Sequence, residues 1–174
     1  MASVQRLTTC LWFDDQAEEA AKFYTEIFDD GKITRIQRYP EAGHDVHGRA
    51  PGSVMTVEFE LGGHAVFALN GGPHFTFNPA VSIVVNCDTQ EEIDYYWERL
   101  GEGGDPKAQQ CGWLADRFGL SWQIVPAKWS EYFDDHESEA TNRAMGAMME
   151  MKKLDIAAME RAYRGEGAEA APAR

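Results

Sequence analysis

The hydrophobic pattern along this chain changes period several times, and each change marks an element. Residues 7–13, "LTTCLWF", form a short apolar run that ends at Asp14-Asp15. Ala20, Phe23, Tyr24 and Ile27 then recur at helical spacing, which predicts an amphipathic helix. Three strand-like segments follow, "KITRIQRY", "SVMTVEFEL" and "HAVFALN". They alternate or are rich in β-branched and aromatic residues, and Gly62-Gly63 supplies a hairpin turn between the last two. "VSIVVNC" at 81–87 is a second apolar run, and Ile93, Tyr96, Trp97 and Leu100 repeat the helical spacing after it.

The two halves are copies of one pattern. "DQAEEAAKFY" from Asp15 and "DTQEEIDYYW" from Asp88 stand 73 residues apart, with Glu18 over Glu91, Glu19 over Glu92 and Gly31 over Gly104. Each has a cap-like Asp and acidic residues in the first turn, where the helix dipole favours them. The second half closes with the hairpin "CGWLADRFGLSWQIVP". Each half therefore reads strand, helix, three strands, and the predicted fold is α+β, built of paired βαβββ modules. The modules are placed at about residues 5–72 and 78–127 within a domain over 1–127. "NGGPHFTFNP" between them reads as a joint, since two glycines and a proline suit a chain reversal. It does not read as a phosphate loop, because no G-x-x-x-x-G-K-[ST] is present and no helix follows.

A helical extension is expected over 128–165, with a disordered tail at 166–174. "SEATNRAMGAMMEM" and "DIAAMERAYRG" carry strong helix formers, cap residues and a closing Gly165. Met145, Met148, Met149, Met151 and Met159 make this region methionine-rich. Such side chains suit adaptable packing against the sheet or a second subunit, or a ligand-contacting surface.

Charge narrows the partners. Sixteen basic against 29 acidic residues give a formal net charge of −13. That balance disfavours nucleic acid and anionic membrane surfaces. No window approaches the roughly 20 apolar residues of a membrane span, and the N-terminus shows no signal-peptide pattern. Cys10, Cys87 and Cys111 are odd in number and form no C-x-x-C pair. A reduced, cytoplasmic setting is expected, with the three as small core residues or, alternatively, reactive thiols.

The segments "LWFDDQAEEAAKFYTEIF", "GSVMTVEFELGGHAVFALNGGPHF", "YYWERL" and "CGWLADRFGLSWQIVP" resemble the PhnB-like family of the vicinal oxygen chelate superfamily. That family often bears the label 3-demethylubiquinone-9 3-methyltransferase, and the C-terminal helices also suit it. The superfamily includes glyoxalase I, extradiol dioxygenases, and bleomycin and fosfomycin resistance proteins. The resemblance implies half-barrel modules with a concave binding side, and metal ligands on the first and fourth strands of each module. Carried onto this chain, those positions fall at Thr8, Asn70 (or Ala68), Val81 (or Ala80) and Gln123. Aliphatic and neutral amide groups do not hold Zn²⁺, Fe²⁺ or Mn²⁺ tightly, so no metal and no cofactor is expected there. His44-x-x-His47, completed by His74, is the alternative metal site; the bland reading is a solvated loop. The label receives no support from a Gly-rich strand-to-helix turn, since the first such turn is the acidic "WFDDQAEE".

What remains is a pocket for an unidentified small organic molecule. Alternation puts Thr8, Cys10 and Trp12 on one face of the first strand, which the resemblance makes concave. The resemblance adds Gln123 from the last strand. Asn70, His74, Phe75, Phe77, Asn78 and Trp113 are placed at the rim, against the alternative that these aromatics are simply core. Such a mixture suits an uncharged or weakly polar ligand. The catalytic residues stay open: Glu58 and His74 are the candidate acid or base if the chain is an enzyme, whether lyase, dioxygenase or nominal methyltransferase. Glu58 lies opposite Phe67 if Gly62-Gly63 form a two-residue turn, and opposite Ala68 if there is a bulge. A structural protein with a vestigial cavity is a third reading. A homodimer is expected, because half-barrels leave strand edges open.

Overall fold

The computed structural model describes residues 6–166. The chain divides into two units, Met1–Phe77 and Asn78–Arg174. All but the first residue of the expected disordered tail lies outside the described residues.

The first unit runs β1 (Thr9–Phe13), α1 (Ala17–Ile27), β2 (Lys32–Arg38), α2 (His44–His47), β3 (Val54–Leu61) and β4 (His64–Asn70). Its strands lie in the order β1-β4-β3-β2. β1 runs parallel to β4 and the other pairs are antiparallel. One face is dry. Leu11, Phe13, Val57, Phe59, Leu61, Val66 and Ala68 alternate onto it, and α1 covers them with Ala17, Ala20, Ala21, Tyr24 and Ile27. The three alanines let the helix approach closely, and the Tyr24 ring stacks on Phe59 at 6.2 Å. Since side chains alternate along a strand, Cys10, Trp12, Glu58 and Phe67 fall on the opposite, open face. His44–His47, read as loop from the sequence, is one turn of helix closed by left-handed glycines at both ends.

The hairpin between β3 and β4 settles the register. Leu61 pairs with His64, so Gly62 and Gly63 are the whole turn, with φ of 54° and 73°. Both central residues are left-handed, as a type I′ turn requires. Glu58 therefore stands opposite Phe67, and the bulged alternative is not the one adopted.

The second unit runs β5 (Ser82–Cys87), α3 (Gln90–Gly101), β6 (Trp113–Ala115), β7 (Ser121–Pro126), α4 (Glu139–Met149) and α5 (Ile156–Arg164). Its sheet order is β5-β7-β6. Ile93 and Leu100 of α3 are fully buried, as are Leu114, Trp122 and Ile124 of the sheet. Here the sequence reading needs correction. Among the described residues this unit has two strands after its helix, not three. The missing strand is replaced by a 3-10 turn, Pro106–Ala108, capped by the Asp105 carboxylate on the Lys107 N–H. Pro106 has no N–H to give a ladder, and only a single bridge, Gln110 to Trp113, follows it.

The C-terminal hairpin folds onto this same unit. Val125 joins Met148, Leu154 and Met159 in a buried cluster, with Trp129, Phe133 and Met151 packed around it. Backbone pairing fastens it: Cys111 N–H donates to Met151 O and Gly112 N–H to Lys152 O. Gln90 adds a side-chain clamp, donating to Leu154 O and accepting from Ile156 N–H. Gly112 is required there, because a Cβ would stand 2.9 Å from Ile124 O and 3.0 Å from the Leu154 side chain.

Candidate functional site

The residues proposed from the sequence fall into separate places. Thr8 and Glu58 line a cavity of about 390 Å³ on the open face of the first unit, with Thr34, Glu60, Ala65 and Phe67. The central row of that sheet face runs Cys10, Phe67, Glu58, Arg35 across four strands, and Phe67 and Glu58 of it line the cavity. Glu58 is half exposed and faces Arg35 at 3.9 Å, and Glu60 is paired with Lys32 at 2.8 Å. Burial pushes the Cys10 thiol up.

Trp12, His74 and Phe75 sit at the joint rather than in that cavity. The Trp12 indole N–H donates to Gly72 O at 2.8 Å, and its ring meets Phe75 edge-on at 5.0 Å. A Cβ on Gly71 would stand 2.1 Å from the indole, so only glycine lets the ring lie against the chain there. Gly71 N–H donates to Phe13 O, which carries the β1–β4 ladder into the joint. Arg49 bridges to the Asp14 carboxylate close by. Phe77 packs edge-on against Phe13, and the Asn78 side chain caps Ala80 N–H.

Asn70 is not a rim residue. It is 5% exposed on the helix-covered face. Its side-chain oxygen accepts from Ala17 N–H at 2.8 Å, and its amide donates to Val54 O. The Tyr39 hydroxyl takes its backbone carbonyl at 2.6 Å. Asn70 therefore caps α1 from across the sheet, where the local N-cap, Gln16, makes no side-chain bond.

The second unit carries a differently built surface. Val84, Gln123 and Trp113 stand side by side across β5, β7 and β6, and Ser82, Ser121 and Ala115 form the next row. Trp113 and Ser121 line a cavity of about 410 Å³ with Gln110, Cys111, Ala108 and Pro79. The Gln123 amide donates to Ser82 Oγ at 2.9 Å. Ser82 is the residue missed from the sequence. Val81 and Ala80, the positions named there, precede β5. The signal was available in the turns: three residues separate β1 from α1, but two separate β5 from α3. The strand register is thus shifted by one relative to the helices.

The divalent metal implied by the superfamily does not fit these side chains. Asn70 is consumed by backbone partners, Val81 is aliphatic and 69% exposed, and Gln123 offers a neutral amide held by Ser82. Among the described residues no three His, Cys, Asp or Glu side chains converge as a metal group, and this includes His44, His47 and His74. His47 Nδ1 accepts from Arg49 N–H, while its Nε2 is buried without a partner. Acidic Asp14 and Asp15 follow β1, and Asp88 follows β5. No helix is long and apolar enough to cross a membrane among the described residues.

Comparison with known proteins identifies this architecture. The family model described as 3-demethylubiquinone-9 3-methyltransferase matches residues 5–125. The chain belongs to this family. The PhnB protein of Bacillus cereus, which carries the same methyltransferase description, is 37% identical over 70% of this chain and 99% of its own, with a TM-score of 0.58. PA1353 of Pseudomonas aeruginosa is 22% identical over 71% and 98%, with a TM-score of 0.55. The fosfomycin resistance protein FosX of Mesorhizobium loti is 15% identical over 78% and 99%, with a TM-score of 0.51. The last two show the shared vicinal oxygen chelate fold alone. No curated protein matches the chain. The family match stops at residue 125, so the C-terminal helix hairpin lies beyond it.

Proposed function

We propose that this protein binds a small, uncharged or weakly polar organic molecule on the open face of its second unit, without a divalent metal. The observation that carries the reading is the row Val84, Gln123, Trp113 beside a cavity of about 410 Å³. The Trp113 indole supplies contact area, and the Gln110 amide and Ser121 hydroxyl in the cavity wall supply orientation. No ionisable carboxylate or imidazole lines that cavity. A charged ligand would enter it without a counter-charge.

A second reading has one specific support. Glu58 faces the cavity of the first unit within reach of Arg35, an arrangement open to acid-base chemistry. The exposed edges β1 and β2, and β5 and β6, support a homodimer. Three free cysteines suit a reducing cytoplasm.

One experiment bears on ligand and assembly together. Protein purified without denaturant is examined by native mass spectrometry, for the wild type and for Trp113→Ala and Glu58→Gln. The expected result is a dimer mass with a retained organic molecule that is lost on Trp113→Ala and kept on Glu58→Gln. Retention by Trp113→Ala with loss on Glu58→Gln overturns the first reading in favour of the second. A monomer mass removes the dimer.

A further inference from the structure

At the wall of the second unit's cavity, two sulfur atoms from distant parts of the chain meet. Cys111 Sγ lies 3.8 Å from Met149 Sδ. Cys111 lines the cavity, and Met149 ends α4, so the contact joins the family domain to the helix hairpin beyond it. The contact is held in place from several sides. Gln110 Nε2 donates to Met149 O at 2.7 Å and approaches Cys111 Sγ at 3.5 Å. Cys111 N–H is fixed to Met151 O at 2.9 Å. Cys111 also adopts φ of 51°, the one left-handed non-glycine residue among the described residues. For a residue with a Cβ this conformation is unfavourable. It is maintained here by the two backbone bonds to the 151–152 segment.

We propose that Cys111 and Met149 form a binding site for a soft monovalent metal cation of the Cu⁺ or Ag⁺ type. The chemistry of the donors selects the ion: thiolate and thioether sulfur prefer soft cations over Zn²⁺, Mn²⁺ or Mg²⁺. The spacing fits. With metal–sulfur bonds of about 2.3 Å, sulfurs 3.8 Å apart subtend an angle of about 110° at the metal. That angle leaves room for a third donor. Met145 stands one turn earlier on the same helix face; it is 41% exposed and Met149 is 54% exposed. Binding replaces the thiol proton, which leaves to solvent, so thiolate and cation together are neutral. No counter-ion is then needed beside the apolar Trp113 and Leu114. This site does not depend on an organic ligand in the cavity.

The test uses the full chain carrying Cys10→Ser, which removes the exposed thiol of β1. The reduced protein competes anaerobically with bicinchoninate for Cu⁺. One Cu⁺ per chain is expected to leave the chelator, with one proton released per ion. Adding Cys111→Ser abolishes the transfer. Adding Met149→Leu, a half-exposed apolar replacement that keeps the fold, weakens binding at least about tenfold, as loss of a direct ligand must. Met145→Leu has a smaller effect or none. No transfer from bicinchoninate overturns the site. Equal affinity with and without Met149→Leu overturns it also, because the cation is then held by a cysteine alone.

Discussion

Across the open face of the first unit the central row reads Cys10, Phe67, Glu58, Arg35; across that of the second it reads Val84, Gln123, Trp113. Both rows rest on a strand-helix pair 73 residues apart in sequence. The first is ionic and half exposed. Arg35 and Glu58 are both partly exposed, and such pairs in water are worth roughly 0–1 kcal/mol. The second row is neutral. The Val125 end of the same sheet is buried under the α4–α5 hairpin. A shared framework thus carries two open surfaces of different chemistry, one ionic and one neutral, and the proposed organic ligand is assigned to the neutral one, which the hairpin walls at its Val125 end. The same contrast recurs in the hairpins, the helix caps and the cysteines, and each can be broken experimentally.

The largest difference is expected at the hairpins. In the second unit Asp116, 2% exposed, accepts from Phe118 N–H, Leu120 N–H and Trp122 Nε1–H at 2.8, 3.0 and 2.8 Å. Removing the carboxylate orphans buried donors, including the indole of a fully buried tryptophan. Asp116→Ala should cost about 3 kcal/mol or more. In the first unit the corresponding turn receives, among the described residues, one carboxylate bond, Gly62 N–H to Asp30, and that bond is exposed. Asp30→Ala should cost about 1 kcal/mol at most. Urea denaturation of the two variants compares them directly, and equal losses would remove the contrast.

The caps come next. α3 begins at Thr89, whose hydroxyl accepts from Glu92 N–H, while the Glu92 carboxylate takes Asp88 N–H. This cap is local and exposed, and Thr89→Ala should cost about 1 kcal/mol. α1 has no local cap and depends on Asn70, buried and 53 residues away. Asn70→Ala removes that acceptor and strands Val54 O as well, for about 2 kcal/mol. Denaturation midpoints should fall in that order, and a Thr89→Ala loss equal to or above that of Asn70→Ala would contradict it.

These same residues show how far the sequence could be read. The two helices were legible because Ala20 to Ile27 and Ile93 to Leu100 repeat one spacing under one set of acidic first turns. Gly62-Gly63 announced a hairpin, though only the structure chose its register. Asn70 was misplaced because an amide at a strand end looks the same whether it meets a ligand or a distant helix N-terminus. Its partner, Ala17 N–H, carries no side-chain signature. Val81 stands in place of Ser82 because the 73-residue offset, true for the helices, was extended to strands, and β5 is joined to its helix by a turn one residue shorter than the turn after β1. The third strand read into the second unit from the repeat ignores Pro106, which has no N–H to give a ladder. Cys111 and Met149 are 38 residues apart, and nothing in either neighbourhood announces the other.

The most selective effect belongs to the cysteines, and at neutral pH it is the smallest. Cys10 and Cys87 each lie on the strand that precedes a helix, one in each unit. Cys10 points to the open face, whereas Cys87 is 1% exposed on the helix-covered face. Burial, then the charges of Glu92 and Asp88, push the Cys87 thiol up to about 12. An unfolded thiol ionises near 8.5. Between those values the native protein keeps a proton that the unfolded chain has released, so stability falls as pH rises. The stabilising contribution is fully present below about pH 8.5 and is lost progressively toward about 12. Many tyrosines and lysines titrate in the same range, so the wild-type curve alone is not diagnostic. The difference from Cys87→Ala isolates the thiol, and it should fall by up to about 1.4 kcal/mol per pH unit between pH 9 and 10.5. Cys10→Ala should leave a flatter difference, since that thiol is raised by burial to a lesser degree on an exposed strand face. Urea denaturation of the three proteins at pH 8, 9 and 10 reads both slopes. A Cys87 difference that does not change with pH would mean that the thiol ionises as readily in the folded protein as in the unfolded chain, and that the helix-covered face is not dry at this position.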